Sequence, residues 1–237
     1  MSSLVLYHGS RVVVSKPQTK LCRPNNDYGR GFYCTESVEL AKEWACQEGH
    51  DGFANKYSIE TSELRLIDLN GPQFNILNWL AVLLENRLIN AMSPTMAASS
   101  QWLKERFSVD LADADIVKGY RADDSYFGFA RAFLRNEISL DQLNRAMRLG
   151  KLGEQYMIKS PAAFEKLEYL ESLPADSNVY WPLREKRDAK ARTSFSQMVA
   201  NTASVGDNAS DQQIYIVDLM RLQKEEAYAL LQQNLPA

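Results

Sequence analysis

Seven short runs of the chain read as strands, and several connections between them are too short to carry a parallel crossover. The runs are "SLVLYHG", "GFYCT", "NKYSIE", "ELRLIDL", "DADIVKGY", "EQYMIKS" and "IYIVDL". In the first, Leu4, Leu6 and His8 alternate with Val5 and Tyr7, and a glycine turn follows. This pattern predicts an α+β chain in which helices surround mainly antiparallel strands.

The helices between these strands have their own start signals. Thr35 or Ser37 can cap a helix whose stripe is Val38, Ala41 and Ala45, with Trp44 beside it. Residues 73–90 place Phe74, Leu77, Leu80, Ala81 and Leu84 at helical spacing. "SLDQ" at 139–142 is a capping box that opens a helix ending at Gly150. Ser160 and Pro161 start another, which includes Phe164 and Leu167. Beyond Pro174 the composition changes to a charged helix, "LREKRDAKAR", then a polar loop, "SVGDNASDQQ", a strand, "IYIVDL", and a closing helix, "RLQKEEAYALLQQ". The expected organisation is one domain over 1–172 and a mixed helical extension with one strand over 173–237, packed on the first.

Bulk properties exclude several classes. A net charge of −3 over 237 residues provides no global basic field toward nucleic acid or anionic lipid. Cys22, Cys34 and Cys46 form no CxxC pair, and their number is odd, so a reducing compartment, the cytoplasm, is expected. With only His8 and His50 there is no Cys/His cluster at zinc spacing, and no metal is expected. The first residues lack the pattern of a signal peptide, and no run reaches membrane-spanning length.

Three stretches belong together: "LYHGS" at 6–10, "GRGFYCT" at 29–35 and "GEQYMIKS" at 153–160. In this order they resemble the signature segments of the ADP-ribosyltransferase superfamily, in its histidine–tyrosine–glutamate branch of diphtheria-type toxins and poly(ADP-ribose) polymerases. The resemblance is closer to an uncharacterised bacterial family of that clan and covers roughly residues 4–170. It implies two mainly antiparallel sheets around a cleft that holds NAD as the substrate. NAD would be cut between nicotinamide and ribose through an oxocarbenium-like transition state.

The resemblance also assigns roles. His8 would bond a hydroxyl of the adenosine ribose, and the Gly9 backbone would pair with the nicotinamide amide. A flat ring could approach Gly9 closely because it has no Cβ. Ser10 would add a hydroxyl contact. Tyr33 would stack on the cationic nicotinamide ring, with Trp44 closing the sandwich. Gly29 and Gly31 would let the backbone turn beside the ligand. Arg23 and Arg30 flank the expected donor loop, and either could contact the pyrophosphate or remain solvated. Phe32, on the opposite strand face, reads as core, and Asn25, Asn26 and Asp27 read as turn residues.

The third segment departs from the branch, because Gln155 stands where the family has its glutamate. An amide can accept a bond from a ribose hydroxyl, but it carries no charge. Mono-ADP-ribosyl transfer or NAD hydrolysis is therefore expected over chain elongation. Glu154 is the alternative carboxylate, although strand neighbours face opposite sides. The arginine-specific branch's extra acid would fall at Gly153, so that device is absent. The expected function is a mono-ADP-ribosyltransferase acting on a protein or nucleic-acid acceptor, with the role of a bacterial toxin or effector. Some toxins of this kind have a small cognate neutralising protein, a partner the resemblance leaves open. The alternative is a degenerate module that holds NAD or a protein without chemistry. The basic run "REKRDAKAR" at 184–192 raises a weaker nucleic-acid reading.

Overall fold

Period-two alternation in the central strands decides how the layers stack. A computed structural model describes residues 3–87, 93–122, 124–149, 153–204, 213–222 and 226. One sheet has the order β1 (Ser3–Ser10), β3 (Gly52–Glu60), β7 (Leu167–Ala175). The other has the order β2 (Phe32–Cys34), β6 (Glu154–Ile158), β5 (Ile116–Tyr120), β4 (Leu66–Asp68). Along β6, Tyr156 and Ile158 pack with Leu6, Phe32, Tyr57 and Ile116 between the sheets. Met157 points the other way, into a cluster with Leu77, Trp79, Leu80 and Phe133. The second sheet is thus covered on one face by the first sheet and on the other by helices, giving an α+β fold.

Among the described residues, all strand pairs are antiparallel except β4–β5, which is parallel. That pair is joined through α2 (Ile76–Asn86) and α3 (Pro94–Phe107), and a parallel connection needs such a crossover. In α2, Leu77, Trp79, Leu80 and Leu83 are fully buried, each leucine contributing about 2 kcal/mol of transfer free energy. The sheets meet where Tyr7 and Thr35 exchange main-chain hydrogen bonds of 2.7 and 2.9 Å.

Helix starts follow the expected caps. Ser37 Oγ accepts from the Leu40 N–H at the start of α1 (Val38–Ala45). Ser139 and Gln142 form the capping box of α5 (Leu140–Ala146), which follows α4 (Asp124–Leu134). Ser160 caps α6 (Pro161–Glu165).

From α5 onward the chain differs from expectation at several points. Leu167 starts β7 rather than extending α6, and β7 pairs with β3 as far as Ala175 opposite Gly52. The boundary expected between 172 and 173 therefore falls inside a strand. Pro174 is tolerated because β7 is an edge strand. The charged run is part of a long helix, α7 (Ser177–Ser204), as expected. "IYIVDL", however, is not a strand. Ile216 and Leu219, three apart, are buried within α8 (Ile216–Arg221), and the main chain docks through Leu140 N–H to Ile214 O at 2.8 Å. Short apolar runs do not distinguish helix from strand by periodicity. Finally, α5 ends at Ala146, four residues short of Gly150, which lies outside the described residues, as do most of "SVGDNASDQQ" and most of the closing helix. No helix among the described residues is long and apolar enough to cross a membrane.

Candidate active site

His8, Tyr33 and Gln155 come from β1, β2 and β6, far apart in the chain, and line one cleft of about 680 Å³. This volume lies in the range of small-molecule sites.

His8 Nδ1 lies 2.7 Å from the Tyr33 carbonyl oxygen, which can only accept, so Nδ1 carries the proton. The neutral ring then has Nε2 as an acceptor. Its face lies over Phe32, ring centres 4.2 Å apart. Burial pushes the imidazolium below its usual range, and the bond to Tyr33 only partly offsets this.

The Tyr33 hydroxyl donates to Gly29 O at 2.8 Å and accepts from Tyr28 N–H at 2.9 Å, tying the strand to the loop before it. Burial raises its pKa.

Gln155 is buried, and its Nε2 donates to Asp27 Oδ2 at 2.7 Å and reaches Tyr120 O at 3.4 Å. Both partners are acceptors, so they decide which end of the amide is nitrogen. The opposite end of the amide, Oε1, is then the acceptor left to meet a ligand.

The glycines of the two motifs permit close packing, and Gly9 and Gly31 also line the cleft. A Cβ on Gly9 would lie 2.1 Å from Ala41 O and 2.9 Å from Trp44 Cβ, so the glycine lets α1 lie against β1. A Cβ on Gly31 would meet Met157 Cγ at 2.3 Å on β6. Gly29 has φ +91°, a conformation for which glycine is suited.

Other expected contacts are redirected. Ser10 lines the cleft, and its Oγ donates to Val12 O at 2.6 Å and accepts from Asn55 Nδ2 at 2.9 Å, so its hydroxyl also shapes the loop. Asn55, fully buried and opposite His8 on β3, also donates to His8 O at 3.1 Å and accepts from Val14 N–H at 3.0 Å. Arg23 lines the cleft. Arg30 is exposed and does not line the cleft itself, but donates at 2.6 Å to the carbonyl of Cys22, which does. Trp44 lines the cleft too, but the Arg121 guanidinium sits 4.2 Å from its ring centre and occupies a stacking face assigned to the ligand. Its buried Nε1 has no partner among the described residues and is an unused donor in the wall. Glu154 faces away, held by Lys118 at 2.8 Å and Asn70 at 2.7 Å on the opposite side of β6 from Gln155.

Three functional candidates did not emerge from sequence reasoning. Asp27, read as a turn residue, is a buried carboxylate whose Oδ2 accepts from Ala122 N–H at 2.9 Å as well as from Gln155, while Oδ1 pairs with Arg87 at 3.3 Å. Burial raises its pKa despite these donors and the nearby charges of Arg87 and Arg121. Its only sequence signal is an acid just ahead of the "GRGFY" segment. Arg87 follows the apolar face of α2, and Arg121 follows β5; both line the cleft. With them the walls carry, among the described residues, five cations (Arg11, Lys16, Arg23, Arg87, Arg121) against one carboxylate, Asp27. In a protein of net charge −3, this local excess makes the cleft electropositive.

The basic run on α7 is partly committed elsewhere. Arg187 grips the buried Glu43 of α1 through two bonds of 2.6 and 2.9 Å, Arg192 pairs with Asp188 at 2.8 Å, and Arg184 covers Trp181.

No curated protein and no solved structure matches this chain. One family, described as "Protein of unknown function (DUF3990)", matches residues 4–169, more than half of the chain. The three strands that bring His8, Tyr33 and Gln155 together place all three residues within that span, and the protein belongs to this family.

Proposed function

We propose that the protein is an NAD-dependent mono-ADP-ribosyltransferase, with the fold of that superfamily. The observation that carries this reading is the convergence of His8, Tyr33 and Gln155 on one cleft whose described walls hold five cations to one carboxylate. That lining suits a pyrophosphate flanked by two ribosides.

In this reading the bond between the ribose C1′ and the nicotinamide nitrogen breaks, and its electron pair leaves with nicotinamide. An acceptor nucleophile then bonds to C1′ and gives its proton to solvent. Nε2 of His8 accepts from a ribose hydroxyl, the arginines neutralise the pyrophosphate, and the Tyr33 ring flanks the cationic nicotinamide. Gln155 Oε1 accepts from the ribose next to the reacting carbon. A neutral amide does not ionise an acceptor hydroxyl for chain elongation, which favours single transfer.

The test is incubation of the purified protein with NAD, with release of nicotinamide followed by chromatography, and then labelled NAD with a bacterial lysate. The expected result is release together with label on a macromolecule. Absence of release overturns the reading. For a toxin or effector role, expression in a bacterial cytoplasm should arrest growth, and His8→Ala should relieve it. A second reading, a module that holds NAD without turnover, is favoured by the neutral Gln155 alone. It is distinguished by NAD-induced thermal stabilisation with no nicotinamide released.

A further inference from the structure

An amide side chain has two ends of nearly the same shape and opposite hydrogen-bonding sense. If Gln155 serves a sugar that develops positive charge, only one end is useful. Oε1 can accept from a ribose hydroxyl and present partial negative charge, whereas the NH₂ end would do the reverse. The buried side chain must therefore be held in one of two orientations. Asp27 Oδ2 at 2.7 Å and Tyr120 O at 3.4 Å hold it, since turning the amide over would set oxygen against oxygen at both.

Asp27 is itself fixed. Ala122 N–H donates to the same oxygen at 2.9 Å, Arg87 lies 3.3 Å from the other, and the residue is almost fully buried. With both oxygens engaged and little surface exposed, its route to a sugar runs through the amide of Gln155.

We propose that Asp27 is a positioning residue for Gln155, holding Oε1 toward the cleft and polarising it through the shared N–H, so that the pair supplies the negative charge that one glutamate would carry. This rests on the ADP-ribosyltransferase reading above. Hydrogen-bonded chains in a low-dielectric site strengthen one another, which is how a charge one residue removed reaches the sugar. Asp27 and Gln155 lie 128 positions apart, so the pair exists only because the loop ahead of β2 folds back on β6.

The test measures nicotinamide release by wild type, Asp27→Asn, Gln155→Glu and the double variant. Asp27→Asn should lower kcat by roughly 10²-fold, with KM for NAD changed by less than about threefold. Gln155→Glu sets two carboxylates against each other and should also lose activity, about tenfold or more. The double variant exchanges acid and amide between the two positions. The amide introduced at position 27 can donate to the carboxylate introduced at position 155, and activity should recover to within about tenfold of wild type. A merely structural Asp27 would leave the double as poor as the two losses multiplied. Wild-type kcat in Asp27→Asn, or a double variant no better than Gln155→Glu, overturns the proposal. If Asp27→Asn does not fold by circular dichroism, the double variant against Gln155→Glu decides alone: recovery supports the pair and its absence rejects it. No release from wild type overturns the NAD reading and this proposal with it. An active wild type without recovery on exchange overturns this proposal only.

Discussion

His8 and Tyr33 are joined by one hydrogen bond, from the ring Nδ1–H to the main-chain oxygen, across 2.7 Å. The bond sets the imidazole of one sheet against the strand that opens the other, and it leaves Nε2 as the acceptor available to a ligand. His8→Ala and Tyr33→Ala should each reduce nicotinamide release at least about 10²-fold while the protein keeps its native circular dichroism. Tyr33→Phe keeps the ring but loses the bonds to Gly29 and Tyr28. It should retain more activity than Tyr33→Ala and cost about 1–2 kcal/mol in denaturant unfolding.

The half-buried imidazole has a consequence for pH. Its folded pKa lies below 6.5. Between the folded value and 6.5 the unfolded chain binds the additional proton, so stability increases as pH rises through that window and is complete above 6.5. His8→Gln should flatten that slope in urea melts. Proton NMR of the wild type should show a His8 midpoint below 6.5, assigned with a His50→Gln variant.

Glu154 offers a direct check on which side of β6 does chemistry. Its carboxylate is held by Lys118 and Asn70, away from the cleft. Glu154→Gln should leave nicotinamide release within about twofold of wild type and cost less than about 1 kcal/mol, because the pair is partly solvated. A loss comparable to that of His8→Ala would mean that Glu154 turns inward in the working protein.

Two glycines should respond in opposite directions. In Gly9→Ala the new methyl would collide with the Ala41 carbonyl, and about 3 kcal/mol or more of stability should be lost as α1 is pushed off β1. Gly128 lies in α4, and a methyl added there would meet no atom within 4 Å, so Gly128→Ala should stabilise by about 0.5–1 kcal/mol. Thermal melts of the two variants check both.

The α7–α1 contact can be measured by a double-mutant cycle. Glu43 is buried and gripped at both oxygens by Arg187. Arg187→Ala alone should cost roughly 3 kcal/mol by leaving a buried carboxylate unpaired, whereas Glu43→Leu with Arg187→Leu should restore most of it.

What could be read from residues alone was local. Ser37, Ser139 and Ser160 each announced a helix start because a cap and its first turn are adjacent in sequence. His8, Tyr33 and Gln155 were legible because each sits in a short segment with glycine and aromatic neighbours. Asp27 was not, since its meaning comes from Gln155 on another strand, and an acid among asparagines reads as a turn. Arg87 and Arg121 were invisible for the same reason: a cation after a helix or a strand says nothing until the cleft brings it beside Asp27 or Trp44. β7 was hidden by Pro174 and by an exposed face that blurs alternation. The reading of "IYIVDL" as a strand followed from its β-branched residues, which here are overridden by the docking of Ile216 and Leu219.

Residues 11–31 form the outer wall of the cleft, and they are fastened near both ends. Asn55 grips one end through Ser10 and Val14, and the Tyr33 hydroxyl grips the other through Tyr28 and Gly29. Both fastenings are side chains of strand residues, Asn55 on β3 and Tyr33 on β2, so the outer wall takes its position from the two sheets that carry the site.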